Sequence, residues 1–265
     1  MRKLPQVVRN SFVKLEHTLP QSQKGPLSYI SHLLATKGCC SRKEAIEFIK
    51  KGLVLLDNKV VEKDSLVDPR YSNVALSRRG ISIQENKLSI LLHKPVGYLS
   101  VPADNRAGNK YSFDLLTAQN RYYQHNFPVR YKNLVPSKLK NLKSVSHLQV
   151  STSGLSLFSQ DGRLSNLKLI HEYISTLEGE VGEENLSILR TRQYIDGVPV
   201  PPFDVKLIDS NRLSFTLIDI LPGQILKLCQ FAGLSVKRIT RVRLGNIYLG
   251  NLPPGKWRLL ERFEL

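Results

Sequence analysis

Residues 147–158 read HLQVSTSGLSLF. A turn-forming Ser-Thr-Ser-Gly precedes a run that alternates apolar and polar residues, the pattern of a half-buried strand. Such a stretch presents a loop just ahead of a strand. Yet no Asp or Glu occurs from Leu115 to Gln160. A loop placed for chemistry therefore lacks a carboxylate.

Working outward, the pattern from Ser89 onward is short strands broken by Gly, Pro and Asp-Gly turns. Leu91 and Leu92 end one strand, and Lys94-Pro95-Val96-Gly97 turns the chain. Helical segments are predicted near Gly162–Lys168, Leu186–Thr191 and Gln224–Ala232. The mixture predicts an α+β domain with a large, mostly antiparallel sheet. Upstream, LPQSQKGP (19–26) reads as a linker, and the region after Tyr71 as a connector. Between them, Leu27, Ile30, Leu33 and Leu34 follow helical spacing up to Gly38. A second helix opens at Ser41, where Ser41 and Glu44 form a capping box, and stops near Gly52. Its apolar face is Ala45, Ile46, Phe48 and Ile49. LVLL, an Asp57-Asn58 turn and KVV follow as a hairpin. The expected division is a basic extension over 1–26, a small α-rich domain over 27–84 and the sheet domain over 85–265.

Charge narrows the partners. The 265 residues carry 39 Lys and Arg against 22 Asp and Glu, a net charge of +17. Such a surplus suits a polyanion, because cations near phosphates release condensed counterions. Lys37, Arg42, Lys43, Lys50 and Lys51 crowd the first two helices. A basic insertion over about 121–143 carries Arg121, Arg130, Lys132, Lys138, Lys140 and Lys143 among Tyr and Phe residues. Cations interleaved with aromatics hold phosphates and stack bases. All eleven cations are candidate RNA contacts. Cys39, Cys40 and Cys229 fit neither a disulfide framework nor a zinc spacing, so reduced thiols are expected. No metal or cofactor motif occurs, and no apolar run reaches membrane-spanning length. The N-terminus has no acid before Glu16, which fits an organellar transit segment and an RNA-touching basic arm equally well.

The run LSYISHLLATKGCCSRKEAIEFIKKGLVLLDNKVV resembles the RNA-binding module first known from ribosomal protein S-four. In that module the second helix lays its basic first turn and flank against phosphates. Further on come LLHKPVGYLSVPAD, YSFDLL, TSGLSLFSQDGRL, EYISTLEG and RVRLGNIYLGNLPPGKWRLL. In this order they resemble the RsuA-type ribosomal pseudouridine synthases, over about Leu27 to Leu260. The resemblance implies an S-four-like domain, a synthase domain, a flipped uridine in ribosomal RNA and no cofactor.

The family motif is Gly-Arg-Leu-Asp, two residues, then Thr-Ser-Gly-Leu, and its Asp is the catalytic carboxylate. Aligned on Thr152-Ser153-Gly154-Leu155, this chain has Gln149 at the Asp, His147 at the Arg and Ser146 at the Gly. A neutral amide is a poor nucleophile, and losing such a group costs orders of magnitude in rate. The family's helix beginning Arg-Gln aligns with Gly223-Gln224, so the cation facing the Asp is Gly223 here. Acid and partner are thus both absent, whereas losing one alone would strand the other at roughly 3–5 kcal/mol. Tyr173 matches the family's active-site Tyr, as a base-stacking or a core residue. The degenerate site is therefore Gln149, His147, Tyr173 and Gly223.

Three readings follow. The first is an inactive synthase homologue that binds ribosomal RNA during assembly of a ribosomal subunit, with protein partners in that particle. A mitochondrial ribosome is expected if the N-terminus is a transit segment, and a cytoplasmic or other one otherwise. The second is an active synthase using another acid, with Asp161 and Asp104 as the candidates. The third is a permanent component of a divergent ribosome.

Overall fold

A computed structural model describes residues 27–100, 108–123, 139–166, 169–191 and 194–260. The N-terminal unit begins with β1 (Ser28–Tyr29), α1 (Ile30–Thr36) and α2 (Arg42–Lys50). Gly38 sits at φ +70°, ending the first helix as expected. The Ser41–Glu44 capping box is present in both directions. β2 (Val54–Leu56) and β3 (Lys59–Val61) form the hairpin, with Asp57 and Asn58 both at positive φ, as a two-residue type I′ turn requires. β4 (Leu66–Val67) pairs with β1, and β5 (Val74–Leu76) with β2. Ile30, Leu34, Ala45, Phe48, Ile49 and Val54 join in a separate small core.

The supposed connector contains α3 (Arg78–Glu85), capped by the Ser77 hydroxyl, which accepts from the Gly80 N–H at 3.2 Å. Gly80 hid this helix from a propensity reading. It is there for close approach: a Cβ would lie 2.9 Å from the Leu53 carbonyl oxygen.

β6 (Ser89–Lys94) then enters the large sheet, extending two residues past Leu92. The sheet adds β7 (Lys143–Ser144), β8 (Ser153–Ser159), β9 (His171–Leu177), β12 (Phe203–Asp209), β13 (Arg212–Leu217), β14 (Val236–Leu244), β15 (Ile247–Tyr248) and β16 (Trp257–Leu259). β10 (Tyr194–Ile195) and β11 (Val198–Pro199) form a separate pair. The path runs β12-β13-β9-β14-β8-β6-β16, with β15 on β14 and β7 on β8. β14 and β8 are parallel; the other pairings are antiparallel. The fold is α+β with a mixed, mainly antiparallel sheet.

Two helices cover one half of the sheet, α4 (Glu183–Thr191) and α5 (Gln224–Phe231). Near Gly162–Lys168 the described residues form only a short 3-10 turn, Leu164–Asn166. β8 is buried along all seven residues rather than alternately exposed. Its two faces serve two cores: Phe158 packs with Ile90, Leu92 and Trp257, while Leu155 and Leu157 pack with Leu91 and Leu244. Ser159 on this strand meets Ser89 at 2.8 Å and Ser153 meets Thr240 at 2.9 Å, whereas the buried Ser156 hydroxyl has no hydrogen-bond partner among the described residues.

Candidate functional site

The loop ahead of β8 is pinned from both sides. Ser100 Oγ donates to the Leu148 carbonyl at 2.8 Å and accepts the Leu148 N–H at 3.0 Å. The Gly97 N–H donates to the Val150 carbonyl, and the Thr152 N–H to the Gln149 carbonyl. Gln149 is thereby held exposed on a short turn. Beneath it, Gly154 takes φ +111°, and a Cβ there would lie 2.2 Å from the Arg241 carbonyl oxygen. Only glycine permits β14 to come this close.

A cavity of about 460 Å³ opens beside this turn. His147, Gln149, Tyr173 and Gly223 all line it, so the tertiary fold gathers the four degenerate positions from three separated segments. Leu148, Ile225, Val236 and Ile239 make apolar wall; Ser151, Thr152, Gln224, Lys237 and Arg238 contribute polar groups. No carboxylate lines it among the described residues. Gly223 adopts φ +71° as the N-cap of α5, a conformation that suits glycine and not the cation its alignment would supply. Tyr173 is buried at 3 % exposure and serves both cavity wall and core.

Behind the cavity lies Arg241. It is fully buried, and burial depresses its pKa below the ordinary arginine value. Nε donates to the Leu155 carbonyl at 2.7 Å, and Nη1 to Ser146 Oγ at 2.8 Å. Further donation reaches the Ser146 and His147 carbonyls at 3.3 Å and His171 Nδ1 at 3.4 Å. Arg241 therefore holds the backbone that carries Gln149. His171 is pushed down to about 4, by burial first and by the nearby Arg241 charge second. It is neutral at physiological pH, with Nδ1 as acceptor.

Asp161 does not line the cavity. Asp161 lies where the two domains meet: it accepts from Gln84 Nε2 at 2.9 Å and pairs with Arg163 at 2.6 Å. Asp104 lies outside the described residues. Asp219, which sequence reasoning passed over, immediately precedes the lining residue Ile220 and is close enough for its charge to act on His171.

The expected RNA contacts divide. Arg42, Lys43, Lys50 and Lys51 are exposed around α2, and Lys140 and Lys143 are exposed near β7. Lys37 is exposed but donates to the Val74 carbonyl at 3.1 Å. Arg130, Lys132 and Lys138 lie outside the described residues. Arg121 is a correction. It is 8 % exposed, with its guanidinium over the Tyr123 and Trp257 rings at 4.8 and 5.7 Å, so packing removes it from the phosphate-facing surface.

The first turn of α2 divides: Glu44 faces the sheet domain, while Arg42 and Lys43 stay exposed. Glu44 Oε1 accepts from the Gly162 N–H at 2.7 Å and from Lys87 Nζ at 2.5 Å. Arg163 Nη1 donates to the Gly38 carbonyl at 3.1 Å. Glu44 is consumed by this junction, and phosphates are left Arg42, Lys43 and the exposed flank.

Comparison with known proteins agrees with this architecture. A family model described as the S4 domain matches residues 32–70. An uncharacterized RNA pseudouridine synthase of Aquifex aeolicus (strain VF5) is 28 % identical over 233 residues, covering 85 % of this chain and 89 % of that protein. The dual-specificity RNA pseudouridine synthase RluF of Escherichia coli (strain K12) is 27 % identical over 258 residues, covering 93 % and 79 %. A crystal structure of a pseudouridylate synthase shares the fold, with TM-score 0.54 and 18 % identity over 89 % of this chain and 97 % of that one. The chain carries an S4 domain and is homologous to RNA pseudouridine synthases of the RluF/RsuA type.

Proposed function

We propose that this protein binds ribosomal RNA through its S4 domain and its synthase cavity without isomerising uridine. It acts in assembly of a ribosomal subunit. The observation that carries this reading is the cavity lining: Gln149 and Gly223 stand where acid and cation are expected, and no described lining residue is a carboxylate. Without a negative charge beside the sugar, the glycosidic bond has no nucleophile or counter-ion to open against. The exposed cations on α2 and near β7 supply RNA affinity that does not depend on chemistry. Mapping pseudouridine in ribosomal RNA with and without the protein tests inactivity; loss of one modified position would overturn it. Crosslinking in cells tests the partner, and a missing ribosomal footprint would refute it.

An active enzyme remains the competing reading, and one observation favours it: Asp219 stands next to the cavity-lining segment. If the map does lose a site, Asp219→Asn distinguishes this acid from others. A subunit-assembly time course separates a transient factor, our reading, from a permanent ribosomal component. The location proposed is the mitochondrion, on the acid-poor N-terminus, and imaging of a C-terminal fluorescent fusion tests it.

A further inference from the structure

The two edges of the large sheet differ. The β16 edge is covered: Arg121 bridges Trp257, and the Tyr122 N–H donates to the Trp257 carbonyl at 2.7 Å. The β12 edge carries no strand on its outer side among the described residues, and its ladder runs only to β13. No loop backbone among those residues bonds to it either. β12 is seven residues long, with no proline inside it. Leu207 and Ile208 on this strand are 41 % and 46 % exposed. An open edge of this kind is a template for another strand.

The side chains along β12 select which strand fits. Val205 is buried in the core that α4 and α5 cover, Phe203 packs against that core, and Leu207 pairs with the buried Leu213 at its rim. Asp204 and Lys206 alternate onto the opposite face, beside Thr216 and Ser214. They meet each other at 3.0 Å, and both stay largely exposed. Edges are commonly guarded by charge of one sign, which repels a like strand. Here the sign alternates about Val205. A second copy turned about a two-fold axis through Val205 sets Asp204 of one strand opposite Lys206 of the other, twice. The same register sets Phe203 opposite Leu207, so the exposed rim leucine gains an apolar neighbour. Opposite charges directly across an antiparallel pair attract, and like charges there repel.

We propose that β12 is the surface through which two copies of this chain pair, antiparallel and two-fold symmetric about Val205. The contact is isologous: each copy supplies the same patch. One strand pair buries little area, so the dimer is weak and forms as concentration rises. Pairing presents two S4 domains to one RNA, which raises avidity where both can reach. The inference is independent of whether the cavity turns over uridine.

Sedimentation velocity of the nuclease-treated full chain tests this over about 1–200 μM, the range in which weak dimers exchange. The wild type is expected to shift from monomer toward dimer across that range. Lys206→Asp sets aspartates opposite aspartates, and Asp204→Lys sets lysines opposite lysines. Each variant alone is expected to pair at least about tenfold more weakly. Mixed in equal amounts, the two variants present opposite signs and are expected to recover the wild-type dimer. That recovery also shows that both are folded, as the exposure of both side chains predicts. Hydrogen exchange of residues 203–207 should slow with concentration in the wild type and in the mixture, and in neither variant alone. A wild type that stays monomeric overturns the proposal and leaves the edge to a segment of another protein or to solvent. Single variants that dimerise as well as the wild type place the contact elsewhere and overturn it. A mixture that stays monomeric overturns it too, because the register then fails.

Discussion

Replacing Glu44 with Gln tests whether a buried charge fastens the S4 domain to the sheet domain. Glu44 meets Lys87 at 2.5 Å, with both side chains less than one-fifth exposed. One carboxylate serves three donors there: the Lys87 ammonium, the Gly162 N–H across the junction and the Ser41 N–H of its own helix. Breaking a fully buried pair costs roughly 3–5 kcal/mol. Here Lys87 also keeps Gln84 Oε1 at 2.6 Å, and some solvent reaches the pair. The loss is therefore closer to that of one hydrogen bond to a charged group, about 2 kcal/mol. For a unit as small as the S4 domain, that is a Tm shift of roughly 8–16 °C.

Calorimetry of the full chain, combined with a Glu44→Gln, Lys87→Met double-mutant cycle, measures it. A coupling energy below about 0.5 kcal/mol would refute the reasoning, since that is the scale of an exposed pair. The pH dependence gives a second reading. Burial pushes the Glu44 carboxyl up, but the Lys87 bond and the Gly162 and Ser41 amides together hold it below its ordinary value of 4.5. A lowered folded-state pKa means the stabilisation is full above that value and is lost as pH falls through the folded pKa. Glu44→Gln should flatten this acid limb.

Three more outcomes are expected. Gly154→Ala combines a strained φ with a backbone clash at Arg241, and should cost at least about 3 kcal/mol in urea unfolding. His171, held near 4, should be neutral by NMR at pH 6; its contribution to stability is complete above about 6.5 and declines as pH falls toward 4. A protonated His171 at pH 6 would contradict the geometry around Arg241. Arg42→Glu with Lys43→Glu should weaken RNA binding and flatten its salt dependence by about two counterions or more, read by fluorescence anisotropy across a salt series.

Much of the fold was written in local pattern. The capping box, the positive-φ Asp57-Asn58 turn and the glycine after α1 each act over a few residues, so the chain specifies them without tertiary help. Motif spacing singled out His147, Gln149, Tyr173 and Gly223, and the fold gathers these four around one cavity. Elements shaped by contact were hidden. Gly80 looks like a helix breaker until Leu53 is seen pressing on α3, and serines in β8 look solvent-facing until both faces of the strand are covered.

Charge was the poorest guide to position. Sequence alone determines that this chain is strongly basic, that an S4 run precedes a strand-rich region, and that no acid lies in the loop holding Gln149. Tertiary structure decided which charges remain for a partner. Arg121 spends its guanidinium on two rings, Glu44 is taken by the domain junction, and Asp161 is held by Gln84 and Arg163 rather than at the cavity. Lys94 and Arg241, remote in sequence, are brought into one row by Gly154. The reason is physical: backbone preference acts on neighbours in the chain, whereas burial and potential depend on whatever packing brings near.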